Sequence, residues 1–414
     1  MARNPQYKLS TNRRQMFKKY KNQDLDMAFW WKKNPKTPSD YARLIIEQLN
    51  KFSSPSLTQD NKRKVQEECT KYLIGTKHFI VGDTDPHPTP EAIDELYTAM
   101  HRADVFYELL LHFVDLEFEA RRECMLIFSI CLGYSKDNKF VTVDYLVSQP
   151  KTISLMLRTA EVALQQKGCQ DIFLTVGNMI IECIKYEQLC RIILKDPQLW
   201  KFFEFAKLGN FEISTESLQI LSAAFTAHPK LVSKEFFSNE INIIRFIKCI
   251  NKLMAHGSYV TKRQSTKLLA SLIVIRSNNA LMNIYINSPE NLKLIMTLMT
   301  DKSKNLQLEA FNVFKVMVAN PRKSKPVFDI LVKNRDKLLT YFKTFGLDSQ
   351  DSTFLDEREF IVQEIDSLPR IISSTTEVSN NNASSSNVAS ITSPSSVMNN
   401  QSSILTHSTS PDSR

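Results

Sequence analysis

Glycine is scarce in this chain: 8 of 414 residues, about 2 per cent where ~7 per cent is usual. Glycine supplies the positive-φ positions of tight hairpins and the close backbone approach of phosphate-binding loops. A chain this poor in it has few means of building β-sandwiches, dinucleotide-binding turns or a P-loop. No GxxxxGK[ST], GxSxG or HExxH string occurs, so the usual nucleotide, esterase and zinc-protease signatures are missing. Gly75-Thr76-Lys77 lacks the upstream glycine and reads as the end of a helix, followed by a loop from Gly75 to Pro88. No apolar run approaches the ~18–20 residues of a membrane span, and no apolar signal-peptide core opens the chain. The expectation is a soluble, intracellular protein.

Cysteine is equally uninformative about chemistry. The seven (Cys69, Cys124, Cys131, Cys169, Cys183, Cys190 and Cys249) form no CxxC and are odd in number. Most fall inside apolar helical patterns, as in IIECI at 180–184, so buried free thiols in a reducing compartment are expected. Cys183 and Cys190 are seven apart and could share a helix face. Without His or Cys partners at ligand spacing they make no zinc site. Asp348 to Glu359, DSQDSTFLDERE, places acids at positions 1 and 12 of a calcium loop. Thr353 stands where the sharp turn needs glycine, however, and Gln350 occupies position 3, so this segment reads as a solvated acidic helix start. No metal, cofactor or active site is expected.

What the chain has is helix. Hydrophobic residues make up 43% of it, and the stretch 258–334 carries consecutive helix-period patterns broken at Ser277-Asn278-Asn279, Ser288-Pro289 and Asp301-Lys302-Ser303. Apolar residues at Leu268, Leu269, Leu272, Ile273 and Ile275, then at Phe311, Val313, Phe314, Val316, Met317 and Val318, cover too much helix surface for one partner to bury. Apolar runs entered by a small residue recur at Cys124, Gly177, Ser217, Ser265 and Ala310, at intervals of 53, 40, 48 and 45 residues. Armadillo and HEAT units repeat every ~40–47 residues. The fold class is therefore all-α, an armadillo/HEAT-like helical-repeat solenoid with disordered N- and C-terminal extensions; one aperiodic bundle is the alternative. A stacked array also suits a length beyond which a single core stops growing.

The first helix starts at Thr37-Pro38-Ser39-Asp40, with Thr as cap and Pro at the first helical position, and continues to Phe52. A second spans roughly Thr58 to Ile74, and Thr89-Pro90-Glu91 restarts a helix by the same device. Domain limits follow: a basic, largely disordered arm at 1–36, the repeat domain at 37–370, and a disordered Ser/Asn-rich tail at 371–414, whose composition cannot offset its ordering entropy. Ser393-Pro394 and Ser410-Pro411 are weak proline-directed phosphorylation signals. Of the formal charge of +9, residues 1–26 hold seven cations against Asp24 and Asp26. That leaves +4 for the rest, so the basic excess is an arm.

Several strings carry a resemblance to the calcium-binding protein 39 family, whose fungal members are the Hym proteins. They are YVTKRQS at Tyr259–Ser265, PENLKL at Pro289–Leu294, DKS-x-N at Asp301–Asn305, EAF-x-VFKV-x-VANP at Glu309–Pro321 and, more weakly, ECIKYE-x-L-x-RIIL at Glu182–Leu194 and FWWKKNPKTP near the start. Relative to that family, residues 1–26 and 373–414 are extensions, leaving Met1, Met16 or Met27 as translation start. The resemblance implies a non-enzymatic scaffold that binds and activates a germinal-centre (sterile-twenty-like) protein kinase within a network for polarised morphogenesis and cell separation. It implies a cytoplasmic protein concentrated at sites of polarised growth or the bud neck. It implies a concave kinase-binding face at Tyr259, Arg263, Arg276 and Lys333, and a pocket for a peptide tail at Met296 and Lys293. Asn279 replaces an aromatic that some relatives carry there.

Two points can be read from the residues themselves. Lys262 and Arg263 fall in the first turn of a helix, where cations oppose the macrodipole and stability alone would not place them. Met296 suits an adaptable pocket, although methionine is more often core. The alternative function is a helical-repeat nucleic-acid binder using the basic arm and groove.

Overall fold

A computed structural model describes residues 35–370 apart from Ser56, Lys167 and Asp348. The expected features of the arm and tail, and of the acid opening the 348–359 segment, lie outside the described residues. Within them there are nineteen α-helices: α1 Pro38–Phe52, α2 Gln59–Val81, α3 Pro90–Arg102, α4 Val105–Leu111, α5 Phe118–Leu132, α6 Val141–Ser148, α7 Lys151–Gln165, α8 Gln170–Ile184, α9 Glu187–Lys195, α10 Lys201–Phe205, α11 Phe211–Thr226, α12 Pro229–Leu231, α13 Glu240–His256, α14 Tyr259–Ile273, α15 Asn279–Ile286, α16 Pro289–Met299, α17 Lys304–Ala319, α18 Lys325–Phe342 and α19 Ser352–Asp366. A π turn, Val232–Phe236, continues α12. The strands are a two-residue pair, Ser135–Lys136 with Lys139–Phe140. They are joined by Asp137 and Asn138 at φ 49 and 62, the left-handed pair that a two-residue hairpin requires.

The helices stack in three rows. The ladder α2, α5, α8, α11, α14, α17, α19 runs through the whole domain, each member packed on the next. A middle row, α4, α7, α10, α13, α16 and α18, lies against it, and the first helices of the units, α3, α6, α9, α12 and α15, complete them. Each full repeat is thus a first helix, a middle helix and a ladder helix, the armadillo arrangement. The five small residues whose spacing suggested the repeat all sit on ladder helices and are all buried. Their smallness has a direct use. A Cβ added to Gly177 would lie 2.6 Å from the Glu216 carboxylate of α11, so α8 and α11 approach closely there. The buried hydroxyls of Ser217 and Ser265 donate back to Ile213 and Thr261 carbonyls at 2.7 and 2.6 Å, which satisfies them without a partner helix.

Local signals set most boundaries. Asp40 accepts from the Lys36 and Thr37 amides at 2.9 Å each, and Thr89 caps α3 ahead of Pro90, both as the sequence implies. The Gly75 reading is corrected. The helix continues through Gly75 to Val81 and stops at Gly82 with φ 77. Gly75 faces the Tyr41 ring, 3.1 Å from where a Cβ would be; packing of α1 outweighs the ~1 kcal/mol helical cost of glycine. Cys183 and Cys190 are also corrected: they fall on α8 and α9, not on one helix. Five of the seven free thiols are buried, with Cys169 and Cys249 half-buried.

Between repeats the core mixes aromatics with satisfied polar groups. Phe203, Phe225, Phe236, Phe237 and Phe246 form one edge-to-face cluster. His101 stacks on Tyr145 at 4.4 Å and bonds Thr142, and burial pushes its imidazole down to about 4.

Two outcomes are expected. Ser265→Leu forces a larger side chain between ladder helices and should cost about 1–3 kcal/mol, read as a lower urea midpoint, with Ser265→Ala closer to wild type. His101 is neutral when folded but titrates near 6.5 when unfolded. Below pH ~6.5 the unfolded state binds the extra proton, so stability should fall as pH drops from there towards 4. His101→Gln should flatten that part of a Tm–pH profile.

Candidate functional site

Ser258 opens α14: its hydroxyl accepts from the Thr261 amide at 3.2 Å. Tyr259 is then the first helical residue, Lys262 closes the first turn and Arg263 opens the second. Tyr259 and Arg263, four apart, share one face of α14. Tyr259 is 46% exposed, and Ser303 and Asn305 at the start of α17 bond its phenol and draw its pKa below the ordinary value. Arg263 approaches Glu309 of α17 at 3.8 Å, too far for a hydrogen bond. Its Nε is enclosed and finds no acceptor among the described residues. Burial raises the Glu309 pKa, and Lys267 and Arg263 pull it back.

The other expected residues are placed differently. Arg276 begins the 3-10 turn Arg276–Asn278 beyond the end of α14 and is exposed; the ten residues from Arg263 to the helix end at Ile273 alone span about 15 Å. Asn279 opens α15 and accepts from Asn283 at 2.8 Å. Met296 and Lys293 share a face of α16, three residues apart. Met296 is half-buried against the core, whereas Lys293 is exposed. Lys333 is exposed on α18, the middle-row neighbour of α16. The structure therefore brings Tyr259 and Arg263 together on the ladder, puts Lys333 in the row of Met296 and Lys293, and leaves Arg276 between helices.

Sequence reasoning missed Glu309 and Lys267, although the repeat register could have found the first. A glutamate directly precedes the small ladder residue at Glu123-Cys124, Glu216-Ser217 and Glu309-Ala310. Glu123 is fully buried and ion-paired with Lys77 of the preceding ladder helix at 2.6 Å. Glu309 also faces a cation of the preceding ladder helix, Arg263, but at 3.8 Å. Glu216 lies over Gly177 with no cation paired to it among the described residues, and burial raises its pKa. Of the three, Glu123 alone is tied to the preceding repeat by a close ion pair among the described residues.

Little else on the described residues suggests chemistry. No group of three or more His, Cys, Asp or Glu among them is arranged to hold a metal ion, and no helix is long and apolar enough to cross a membrane. Burial pushes the thiols of Cys69, Cys131 and Cys190 up to about 12, away from nucleophile behaviour. In the former calcium candidate, Asp351 caps α19, accepting from the Thr353 and Phe354 amides at 3.0 and 3.3 Å.

A family model described as Mo25-like matches residues 29–369. The chain belongs to that family. Among its relatives, the Mo25-like protein of Schizosaccharomyces pombe is 32% identical over 83% of this chain and 100% of its own length. The calcium-binding protein 39-like protein of Mus musculus is 33% identical over 82% of this chain and 97% of its own. The conidiophore development protein hymA of Emericella nidulans is 33% identical over 83% and 94%. The resemblance seen in the C-terminal strings thus extends over the whole helical array.

The Arg263–Glu309 contact is open to direct test. Arg263→Ala removes one of the two charges that hold Glu309 down, so the Glu309 pKa should rise further in a carboxyl NMR titration. An unmoved titration would mean that the guanidinium does not act on Glu309.

Proposed function

We propose that this Mo25-like protein is a non-enzymatic scaffold that binds and activates a germinal-centre-class protein kinase, with residues 37–370 as the binding domain. The ladder face at Tyr259 and Arg263, with Arg276, meets the kinase domain. Met296 and Lys293 take a peptide tail of the kinase or its partner, and Lys333, on α18, belongs with the kinase-binding residues. The observation that carries this reading is Arg263. Stability would not place this cation near the start of α14, its Nε is enclosed without an acceptor, and its one carboxylate neighbour is 3.8 Å away. The side chain as a whole stays 38% exposed, so an acceptor on a partner can meet the guanidinium away from the enclosed Nε.

A scaffold activates only through tighter binding to the active kinase conformation than to the inactive one. Two contact regions on one rigid array suit that task, because a tail held at α16 raises the effective concentration of the kinase domain at the ladder. The relative named for conidiophore development supports a role in morphogenesis, and we propose polarised growth and cell separation as its narrower form. The reading places the protein in the cytoplasm, at sites of growth or the bud neck.

The test separates the two regions. Met296→Ala should weaken binding of a peptide ending in an aromatic-acidic-aromatic sequence by about 1–3 kcal/mol, measured by calorimetry. Arg263→Ala combined with Arg276→Ala should leave that affinity nearly unchanged yet abolish kinase activation in a reconstituted assay. Full activation by the double variant would remove the ladder face from the mechanism. Unfolding of Met296→Ala would instead make that side chain core.

A further inference from the structure

A cleft of mixed polar and apolar lining lies well away from α16, where the helices α9 and α12 meet the start of α13. It is a cleft of about 210 Å³ with Leu194, Trp200, Leu231 and Phe236 as its apolar lining. At its rim Glu235 accepts from Arg191 at 2.7 Å and pairs with Lys195 at 2.9 Å. These two cations hold the carboxylate below its ordinary range. Arg191 also reaches Glu187 at 3.0 Å. Beyond the rim, the Arg245 guanidinium lies over the Trp200 ring at 4.2 Å.

The adjoining face of α13 is both basic and apolar. After Glu240 its charged residues are Arg245, Lys248 and Lys252, all exposed, and no carboxylate among the described residues is ion-paired with them. Ile241 and Ile244, on the same helix, are 75% and 54% exposed. Ile241 and Arg245 are four residues apart, as are Ile244 and Lys248, so each isoleucine is followed one turn later by a cation. Isoleucines left in solvent this far beside a cleft lined by Trp200 and Phe236 make one patch of the kind that marks an interaction site. The cleft is smaller than the ~300–1,000 Å³ of small-molecule sites and accommodates a single large side chain. From Ile241 to Lys252 the face runs about 16 Å, the length of about five extended residues.

We propose that this cleft and the α13 face bind an acidic peptide segment of a partner protein. One aromatic or large aliphatic side chain enters the cleft, and flanking carboxylates meet Lys195, Arg245 and Lys248. The Glu235 carboxylate, already held between two cations, shows which chemistry the rim accepts. This surface is separate from Tyr259, Arg263 and Met296, so it stands whether or not the kinase reading does.

The probe is a fluorescein-labelled octapeptide of Asp and Glu with a central Phe, titrated against the full chain by anisotropy. A matching peptide with Ala at the centre serves as control. Saturable binding is expected, about thirtyfold weaker for the Ala peptide because the anchor is lost. Lys195→Glu and Lys248→Glu, both at exposed positions and checked for unchanged Tm, should each weaken it about tenfold. Met296→Ala should leave it unchanged. No saturable binding, equal binding of the Phe and Ala peptides, or indifference to both charge reversals would overturn the proposal. So would binding to phosphatidylserine vesicles without binding to the peptide, which would assign the face to a membrane.

Discussion

Ladder helices that must touch both of their neighbours are the constraint on which this structure rests. A helix packed on one side can keep large residues everywhere else, but α8, α11, α14 and α17 are each enclosed between two ladder neighbours and a middle-row helix. Interaxial distances of about 8–10 Å leave little room at the centre of such a contact. Gly177 lies against Glu216 of the next ladder helix, and Ser217, Ser265 and Ala310 are all fully buried on theirs. Where the residue is serine, its hydroxyl bonds to the preceding turn, so a polar atom can be buried without asking anything of the neighbouring helix. The repeat is therefore written in the small residues before it is visible in the large ones.

Stacking of this kind also decides where polar groups can go. Each repeat contacts mainly its neighbours, so stability accumulates along the array through one interface after another. The carboxylate just before the small residue lies at the edge of that interface. Glu123 is closed off by Lys77, whereas Glu309 receives only a long contact from Arg263. Partly exposed ion pairs of the second kind contribute about 0–1 kcal/mol. The array can therefore change the pairing at this position with little effect on folding.

The legibility of the sequence followed from the same physics. Helix-period patterning, capping by Thr37 and Thr89, and the breaks at Ser288-Pro289 and Asp301-Lys302-Ser303 are local or periodic signals, and the helices start and stop at them. Gly75 was misread because its reason is not local: glycine there answers to Tyr41, more than thirty residues earlier. Cys183 and Cys190 were misread for a related cause. Spacing of seven implies one face only while the helix is unbroken, and Lys185-Tyr186 interrupts it. The site was less legible still. Tyr259 and Arg263 could be paired from their spacing, but Ser303, Asn305 and Glu309 reach them from the next repeat. The separation of Arg276 and Lys333 from that pair depends on which row each helix joins.

Row membership also explains why one rigid array can carry several unrelated contacts. The ladder helices, the middle row and the first helices of the units spend their apolar surface on one another, which leaves each row an independent outer face. Substituting an exposed residue on one row disturbs only that face, because additivity holds for sites without shared partners. The basic isoleucine-bearing face of α13, the Met296 turn of α16 and the Tyr259–Arg263 turn of α14 are attached to the same scaffold through different helices. Selection can thus alter one partner contact without touching the others, provided that the small buried residues of the ladder helices stay small.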